Sequence, residues 1–288
     1  LKRVRLPTRL GANGKLLTSV PSFKKGNIAM RVFLTTLVLC LASVSTAFAD
    51  WVDDFTGGVP QQTWIFGAVP NGFQYTTDFN SGSGGYLEIG SNLPVGAGGA
   101  AAVFGVVNDV FAGPGVRVDS RLNPTGANLE TNVGVLANLV ADVPNGVATG
   151  YVATITYGQG GSANPASGAL TITKINSPTQ LVTLIDGVIP NFDPNSTYNI
   201  SLQWHQGDLL GRVFDDQNNQ LLSLSTFDSD YAFGLAGVIL QRPAPPGTTP
   251  SSMYGTWGSV SATAVPEPST LVVLGAVSLL ALGVRRRS

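Results

Sequence analysis

The sequence predicts an all-β fold, an antiparallel sandwich or jelly roll of two sheets. Val, Ile, Thr, Tyr and Phe recur in short alternating runs, and Gly, Asn, Asp and Pro separate one run from the next. Between residues 50 and 263 no apolar pattern has the period of a helix longer than about two turns. This region of about 214 residues is long enough to bury the core of one large β domain.

The segment 197–205 is the clearest predicted strand. Its even-numbered positions are apolar and its odd-numbered positions are polar, so one face is expected to meet the core and the other to meet water. Other segments with strand-forming composition are bounded by turn residues in the same way. They are 115–122, 132–139, 147–157, 169–175, 209–214, 221–227, 233–241 and 253–263.

Two hairpins are expected within this series. Strands 147–157 and 169–175 are separated by a glycine-rich loop that is too long for a tight turn. Strands 209–214 and 221–227 are joined across a short segment of Asp, Gln and Asn, residues that favour turns. The segment 242–251 contains four prolines and is predicted to be a loop.

The charge of the chain is distributed unevenly. Residues 50–263 contain five Lys or Arg against sixteen Asp or Glu, a net charge of −11 with His205 neutral. Such an acidic region is a poor partner for nucleic acid. The single cysteine, Cys40, lies before this region, so no disulfide within it can contribute to stability. Core burial or bound ions must supply that stability instead.

The segment 30–49 has the form of a secretory signal peptide with a short helix. Met30 and Arg31 precede an apolar run, and Ala47-Phe48-Ala49 forms a small-residue cleavage site. Cleavage is expected before Asp50, which implies handling by the secretion translocon and signal peptidase.

Residues 1–29 carry seven Lys or Arg and no acidic residue, and they precede a methionine that would begin a signal peptide of ordinary size. Two interpretations remain open. The segment is either an upstream extension that is not translated or an unusually long basic n-region. Sequencing the precursor's N-terminus distinguishes them.

The C-terminal segment 264–288 has three parts. An extended motif is followed by the apolar run 270–284, expected to be a single transmembrane helix, and by a basic end. The helix would be about 22 Å long, and the positive charge after it would remain in the cytoplasm with the preceding domain across the membrane. The motif is Val265-Pro266-Glu267-Pro268-Ser269, and the basic end is Arg285-Arg286-Arg287.

This tail resembles the PEP-CTERM sorting signal of Gram-negative bacteria that make exopolysaccharide. The resemblance implies that an exosortase, a membrane transpeptidase, cuts near the motif and passes the protein to the cell surface or extracellular matrix. It implies nothing about the activity of the exported domain. The alternative is an ordinary C-terminal anchor that is never cut, which would have the same topology.

The exported region resembles concanavalin A-like lectin/glucanase domains of the laminin-G-like bacterial kind. The resemblance is diffuse and covers most of residues 51–263. It is carried by Asp53-Asp54-Phe55 with Trp64, Gly150-Tyr151, Tyr198-Asn199-Ile200-Ser201-Leu202-Gln203-Trp204 and Asp230-Tyr231-Ala232-Phe233-Gly234-Leu235-Ala236-Gly237. The last strand lacks the Asp-Asn-Phe-like sequence common in such domains. The resemblance implies either a carbohydrate binder or a glycoside hydrolase.

Catalytic residues for the hydrolase alternative are not evident in the sequence. The Glu-x-Asp-x-x-Glu pattern of the glucanase branch is absent, and Glu88 and Glu130 lie in unrelated segments. Asp228 and Asp230 are two residues apart, but short acidic side chains at a strand end more often bind local amides. One histidine, His205, provides neither a zinc site nor a triad with a nucleophile elbow. We therefore expect no enzymatic activity.

Glycan binding is the favoured expectation for this region, because aromatic side chains stack on sugar rings while amides bond hydroxyl groups. A purely structural surface protein is a further alternative. The candidate ligand-binding residues are Asn199, Gln203, His205, Tyr151 and Trp64. Calcium is the one cofactor hypothesis, since hard cations bind carboxylate oxygens in loops. Its candidate ligands are Asp53, Asp54, Asp215 and Asp216.

Overall fold

The computed structural model describes residues 50–69, 74–81, 85–91, 101–123, 132–142, 147–157, 168–177, 180–242 and 253–266. Within these ranges the chain forms fifteen β-strands and one short 3-10 turn at Thr56–Gly58, which confirms the all-β prediction. In this part of the chain no helix is long and apolar enough to cross a membrane. The predicted signal helix and C-terminal helix lie outside the described residues, as does most of the predicted loop 242–251.

The strands are numbered in chain order. The first eight are β1 Trp51–Asp53, β2 Trp64–Val69, β3 Thr76–Asn80, β4 Tyr86–Ser91, β5 Ala101–Phe111, β6 Gly115–Asn123, β7 Asn132–Asp142 and β8 Val147–Tyr157. The remaining seven are β9 Gly168–Ser177, β10 Gln180–Val188, β11 Tyr198–His205, β12 Asp208–Phe214, β13 Gln220–Phe227, β14 Gly234–Arg242 and β15 Met253–Ala264.

The strands pair into two antiparallel sheets. The eight-stranded sheet has the order β13-β12-β11-β6-β15-β4-β3, and β1 pairs with the end of β15 beside this path. The seven-stranded sheet has the order β10-β9-β8-β7-β14-β5-β2. Both predicted hairpins are confirmed, since β8 pairs with β9 and β12 pairs with β13.

The core lies between the two sheets and is formed by their inward-facing apolar side chains. Ile200, Leu202 and Trp204 of β11 contribute from one sheet, and Tyr151 and Ile155 of β8 contribute from the other. The alternation that predicted β11 therefore gives its inward face correctly.

Trp257 of β15 connects the two sheets. Its side chain is fully buried in the core, and its indole Nε1 donates a hydrogen bond of 3.1 Å to the main-chain oxygen of Gly134 on β7. A buried indole N–H needs such a partner, because an unpaired polar group in the core is costly.

The side of the eight-stranded sheet that faces away from the core is polar, and we call it the outer face. On β6 the side chains of Val116, Val118 and Leu122 are buried, whereas those of Arg117 and Arg121 are at least partly exposed. The period of two along each strand places the intervening polar residues on the outer face. This surface carries the candidate site described next.

Candidate functional site

The strand register sets which side chains are neighbours on the outer face. Directly paired residues of antiparallel strands point to the same side, with Cβ atoms about 5 Å apart. Three rows therefore cross strands β12, β11 and β6 side by side. They are Phe214–Asn199–Arg121, Arg212–Ser201–Asp119 and Leu210–Gln203–Arg117.

A cleft of about 330 Å³ opens on this face, and we call it the arginine cleft. Arg117, Asp119 and Arg121 enter it from β6, and Ser259 and Ser261 enter it from β15. The turn between β12 and β13 and the neighbouring strands complete the wall with Asn199, Phe214 and Asn218. The lining thus combines cationic, carboxylate, hydroxyl, amide and aromatic groups in one depression.

A second cleft of about 370 Å³ adjoins the first, because Arg121 lines both. We call it the tyrosine cleft, after Tyr86 of β4 and Tyr254 of β15. Asn123 and Thr256 add an amide and a hydroxyl group. Burial raises the pKa of the Tyr254 phenol, and a hydrogen bond with Glu88 raises it further. The phenol therefore stays protonated near neutral pH, with its O–H directed to Glu88.

Two carboxylates face each other next to the tyrosine cleft. Asp78 of β3 is paired directly with Glu88 of β4, so both side chains lie on the same side of the sheet. Thr256 of the tyrosine cleft is the partner of Glu88 on its other side. The residues are ten positions apart in sequence, so spacing along one strand could not reveal the pair.

The three predicted polar ligand residues of β11 do lie on the outer face, but they differ in availability. The Asn199 amide already donates to Asn218 Oδ1 at 2.8 Å, which attaches the turn of the second hairpin to the sheet. Gln203 is partly exposed between Arg117 and Leu210. The Nε2 atom of His205 is buried and has no partner within the described part of the chain.

The two predicted aromatic ligands lie elsewhere. The Tyr151 ring is fully buried in the core between the sheets. Trp64 packs in an aromatic cluster with Trp51, Phe55 and Phe66, and its indole donates to Asp53 Oδ2 at 2.8 Å. Both aromatic side chains therefore serve packing here, and neither is brought together with the β11 polar residues.

Asp228 and Asp230 belong to an ion-pair network at the end of the second hairpin. The Lys174 ammonium contacts both carboxylates, and the Tyr151 hydroxyl donates to Asp228 Oδ1 at 2.5 Å. Burial alone would raise the pKa of Asp228, but the Lys174 and Tyr151 hydrogen bonds outweigh burial and hold that pKa below its ordinary value. Hydrogen bonds with Asp228 and Asp230 raise the pKa of Lys174. The network joins β8, β9 and the segment before β14.

We expect the contribution of this network to stability to disappear in acid. Because the Asp228 pKa is lowered on folding, the contribution is complete above the unfolded carboxyl pKa of about 3.9 and is lost as pH falls through the folded value. The Lys174 pKa is raised, so its contribution is lost only as pH rises beyond about 10.4. Tm of the wild type should exceed that of Lys174→Met by a constant amount between about pH 5 and 10, and the difference should shrink below about pH 4.

Thermal melts of both proteins across pH 2 to 10 measure this difference, with Asp230→Asn as the control for the more exposed partner. A difference that stays constant down to about pH 2 would show that the ion pair does not cause it.

Three of the four candidate calcium ligands accept hydrogen bonds from the protein itself. Asp53 is fully buried, and its two carboxylate oxygens accept four N–H donors, from the main chain of Phe55, Gln61 and Gln62 and from the Trp64 indole. Its neighbour Asp54 accepts from the main chain of Thr56 and the side chain of Gln61. Both oxygens of Asp53 and Oδ1 of Asp54 are therefore already hydrogen-bonded.

The Asp215 carboxylate also accepts hydrogen bonds from the protein. It accepts two main-chain amides and the Asn219 side chain within the turn before β13, and these bonds, that of the Asn219 side chain first, lower its pKa. Among the described residues no three His, Cys, Asp or Glu side chains are grouped so that they could hold one ion. With Asp216 included, the four residues as described do not fit a shared calcium site.

Sequence reasoning missed the residues that make the two clefts. Tyr86 and Tyr254 are far apart in the chain, and Arg121 is one of four polar residues at alternate positions along β6. The alternation of β6 was a usable signal, since it predicts an outward arginine. The partners across β4, β6 and β15 depend on strand order, which local patterns do not specify.

The C-terminal residues 264–287 match a family model described as the PEP-CTERM protein-sorting motif. This match marks the chain for export and for processing at the membrane, and it confirms the resemblance drawn from Val265–Ser269 and the arginines that follow. A search of curated proteins found no match to the chain.

Several solved structures are similar in fold. The lectin UEA-II complexed with galactose aligns with a TM-score of 0.48 at 10% identity and covers 74% of this chain and 97% of its own. Lectin I from Ulex europaeus, in complex with the methyl glycoside of α-L-fucose, has a TM-score of 0.46 at 9% identity and covers 76% and 98%. The VIP36 exoplasmic/lumenal domain in its Ca2+/Man2-bound form has a TM-score of 0.47 at 9% identity and covers 72% and 84%. These neighbours are legume-lectin or concanavalin A-like β-sandwiches.

Proposed function

We propose that this protein is sorted by an exosortase to the cell surface or exopolysaccharide matrix, where it binds glycans without cleaving them. The observation that carries the binding proposal is the pair of adjoining clefts on the outer face, which share Arg121. The sorting motif at 264–287 supports the export proposal. Similar structures bound galactose, a fucose glycoside and a mannose disaccharide, which is a property of those proteins.

The chemistry of the tyrosine cleft suits a sugar ring. Tyr86 and Tyr254 offer aromatic surface for the apolar side of a pyranose, and Asn123, Thr256 and Arg121 offer hydrogen bonds to its hydroxyl groups. The arginine cleft continues the same surface toward β11 and the turn before β13. A glycan chain of several units could therefore lie across both clefts, with Asn199, Gln203 and His205 beside it.

Binding to the exopolysaccharide of the producing bacterium and to a glycan panel tests the proposal. The full chain is purified in a non-ionic detergent, and reducing ends are monitored in the same samples. We expect saturable binding with no release of reducing ends. Tyr86→Ala should weaken binding about tenfold by removing the stacking surface, whereas Phe233→Ala, an exposed aromatic outside the clefts, should not. Failure of every glycan to bind would favour a purely structural surface protein.

The same assay addresses the hydrolase alternative, which one observation favours. Asp78 and Glu88 are two facing carboxylates beside the tyrosine cleft, and retaining glycosidases use carboxyl groups about 5 to 5.5 Å apart. Release of reducing ends that is abolished by Glu88→Gln would replace the binding proposal with this alternative.

Two further arms complete the experiment. Glycan binding in the presence of calcium is compared with binding in the presence of a chelator, and we expect equal binding because Asp53, Asp54 and Asp215 accept hydrogen bonds from the protein.

The mass of the protein extracted from the cell surface is compared with that of the precursor. Signal-peptide cleavage predicts an N-terminus at Asp50, and exosortase sorting predicts loss of the segment after the motif. An intact C-terminus would indicate an anchor that is not cut.

A further inference from the structure

The basic residues of the exported region are concentrated on one surface. Residues 50–263 contain five Lys or Arg, and three of them, Arg117, Arg121 and Arg212, lie on the outer face of the eight-stranded sheet. Lys174 is on β9, and Arg242 ends β14, both in the other sheet. A region with a net charge of −11 thus places three of its five basic side chains on one face, which also carries the carboxylates of Asp78, Glu88, Asp119 and Asp208.

Two of these three arginines have no acidic partner within the described residues. Arg117 makes an ion pair of 2.8 Å with Asp119, and Lys174 pairs with Asp228 and Asp230. No ion pair forms at Arg121, which is exposed, or at Arg212, which is half-buried, in that part of the chain. Their guanidinium groups remain able to form bidentate hydrogen bonds with an anion.

The positions of Arg121 and Arg212 suit a ligand with repeated charges. Arg121 pairs with Asn199 on β11, and Arg212 pairs with Ser201 from the opposite side. The two arginines are thus two strand spacings apart across the sheet and two residues apart along it. Their Cα atoms therefore lie about 12 Å apart, so the two guanidinium groups can each bind a different carboxylate of one polymer.

We propose that the arginine cleft, extended across β11 to Arg212, binds an acidic polysaccharide that carries carboxylate groups on its sugars. This inference rests on the proposed glycan-binding function and names the class of glycan. Arg121 and Arg212 bind successive carboxylates, while Asn218 and, beyond Arg121 on β15, Ser259 and Ser261 bond hydroxyl groups of the polymer. The negative charge of the remaining surface repels the polymer and so confines it to this face.

Alginate, a polymer of uronic acids, is the probe for this inference, and dextran of matched length is the neutral control. The full chain in non-ionic detergent is titrated with each polymer at low and at physiological salt. We expect alginate to bind more tightly than dextran and to weaken as salt is added, because salt screens charges on an exposed surface. Polyglutamate provides carboxylates without sugar, and we expect it to bind weakly.

The double variant Arg121→Gln/Arg212→Gln removes the two unpaired charges. We expect it to lose at least about tenfold in affinity for alginate and to keep its Tm, because neither arginine forms an ion pair in the described residues. Arg242→Gln makes the same chemical change on the other sheet and should retain alginate binding.

The outcomes separate this inference from the function on which it rests. Equal binding of dextran and alginate that the double variant does not change would overturn the acidic-ligand inference and leave glycan binding intact. Polyglutamate binding as tight as alginate would overturn it as well, since the face would then respond to charge alone. Binding of no glycan by a folded wild type would remove both proposals.

Discussion

Replacing Trp257 with alanine is expected to reduce the free energy of unfolding by about 4 kcal/mol, the largest effect that we predict for one side chain. The indole is fully buried between the sheets, so its removal leaves a cavity lined by both. The variant also loses the hydrogen bond from Nε1 to the main-chain oxygen of Gly134, which connects β15 with β7. Urea denaturation followed by far-UV circular dichroism measures the loss.

Two further variants separate the effect of the lost hydrogen bond from the effect of the cavity. Trp257→Phe keeps most of the buried ring but lacks the N–H donor, and we expect it to lose about 1 to 2 kcal/mol. Phe233→Ala removes an aromatic ring that is 58% exposed and should change stability by less than about 0.5 kcal/mol. If Trp257→Phe were as unstable as Trp257→Ala, the hydrogen bond between the sheets would outweigh the cavity.

Asp53→Ala is expected to reduce the free energy of unfolding by about 3 kcal/mol. The Asp53 carboxylate accepts three N–H donors from the segment that joins β1 to β2 and a fourth from Trp64 of β2, and its side chain is completely buried. Alanine would leave those donors without a partner, and each unsatisfied buried group costs about 1 to 3 kcal/mol unless water reaches it. The loss is measured as a shift of the urea midpoint with an unchanged slope.

The adjacent Asp54→Ala is the matched control for this variant. Asp54 is exposed and accepts two hydrogen bonds, so its loss should shift the urea midpoint much less than the loss of Asp53 does. Asp53→Asn keeps one oxygen but turns an amide N–H₂ toward other donors, and we expect it to fall between the two. Equal losses for Asp53→Ala and Asp54→Ala would show that burial of the carboxylate does not matter.

The stronger strands were predictable from sequence because they alternate regularly and end at turn residues. The prediction for 147–157 coincides with β8, and the other eight predicted strands agree with observed ones to within three residues at either end. The six strands that were not predicted are β1 to β5 and β10. Some are short, such as the three residues of β1, and β10 is a mostly exposed edge strand without clear alternation. Their strand structure depends on neighbours that are distant in sequence.

The candidate site was predictable only in part. The polar face of β11 was identified from alternation, and the structure places Asn199, Gln203 and His205 on it. Tyr151 and Trp64 were predicted as ligand-binding residues, but both pack inside the protein. The sequence alone does not distinguish an aromatic residue that faces the core from one that faces a cleft. The sequence also did not show that the acidic residues proposed as calcium ligands accept hydrogen bonds from the protein. Asp53, for example, accepts from residues up to eleven positions away.

The sequence by itself determined the sorting signal of this protein, its all-β class and which face of a regularly alternating strand points to the core. Each depends on residues that are close together in the chain, such as the motif 265–269 or the alternation of one strand. The tertiary structure alone decided which polar strands lie side by side. Because β6 lies between β11 and β15, it brings Arg121 beside Asn199 and Ser259 and so places an arginine in a cleft of an acidic protein. Strand order results from packing of the whole chain, so no local pattern could specify it.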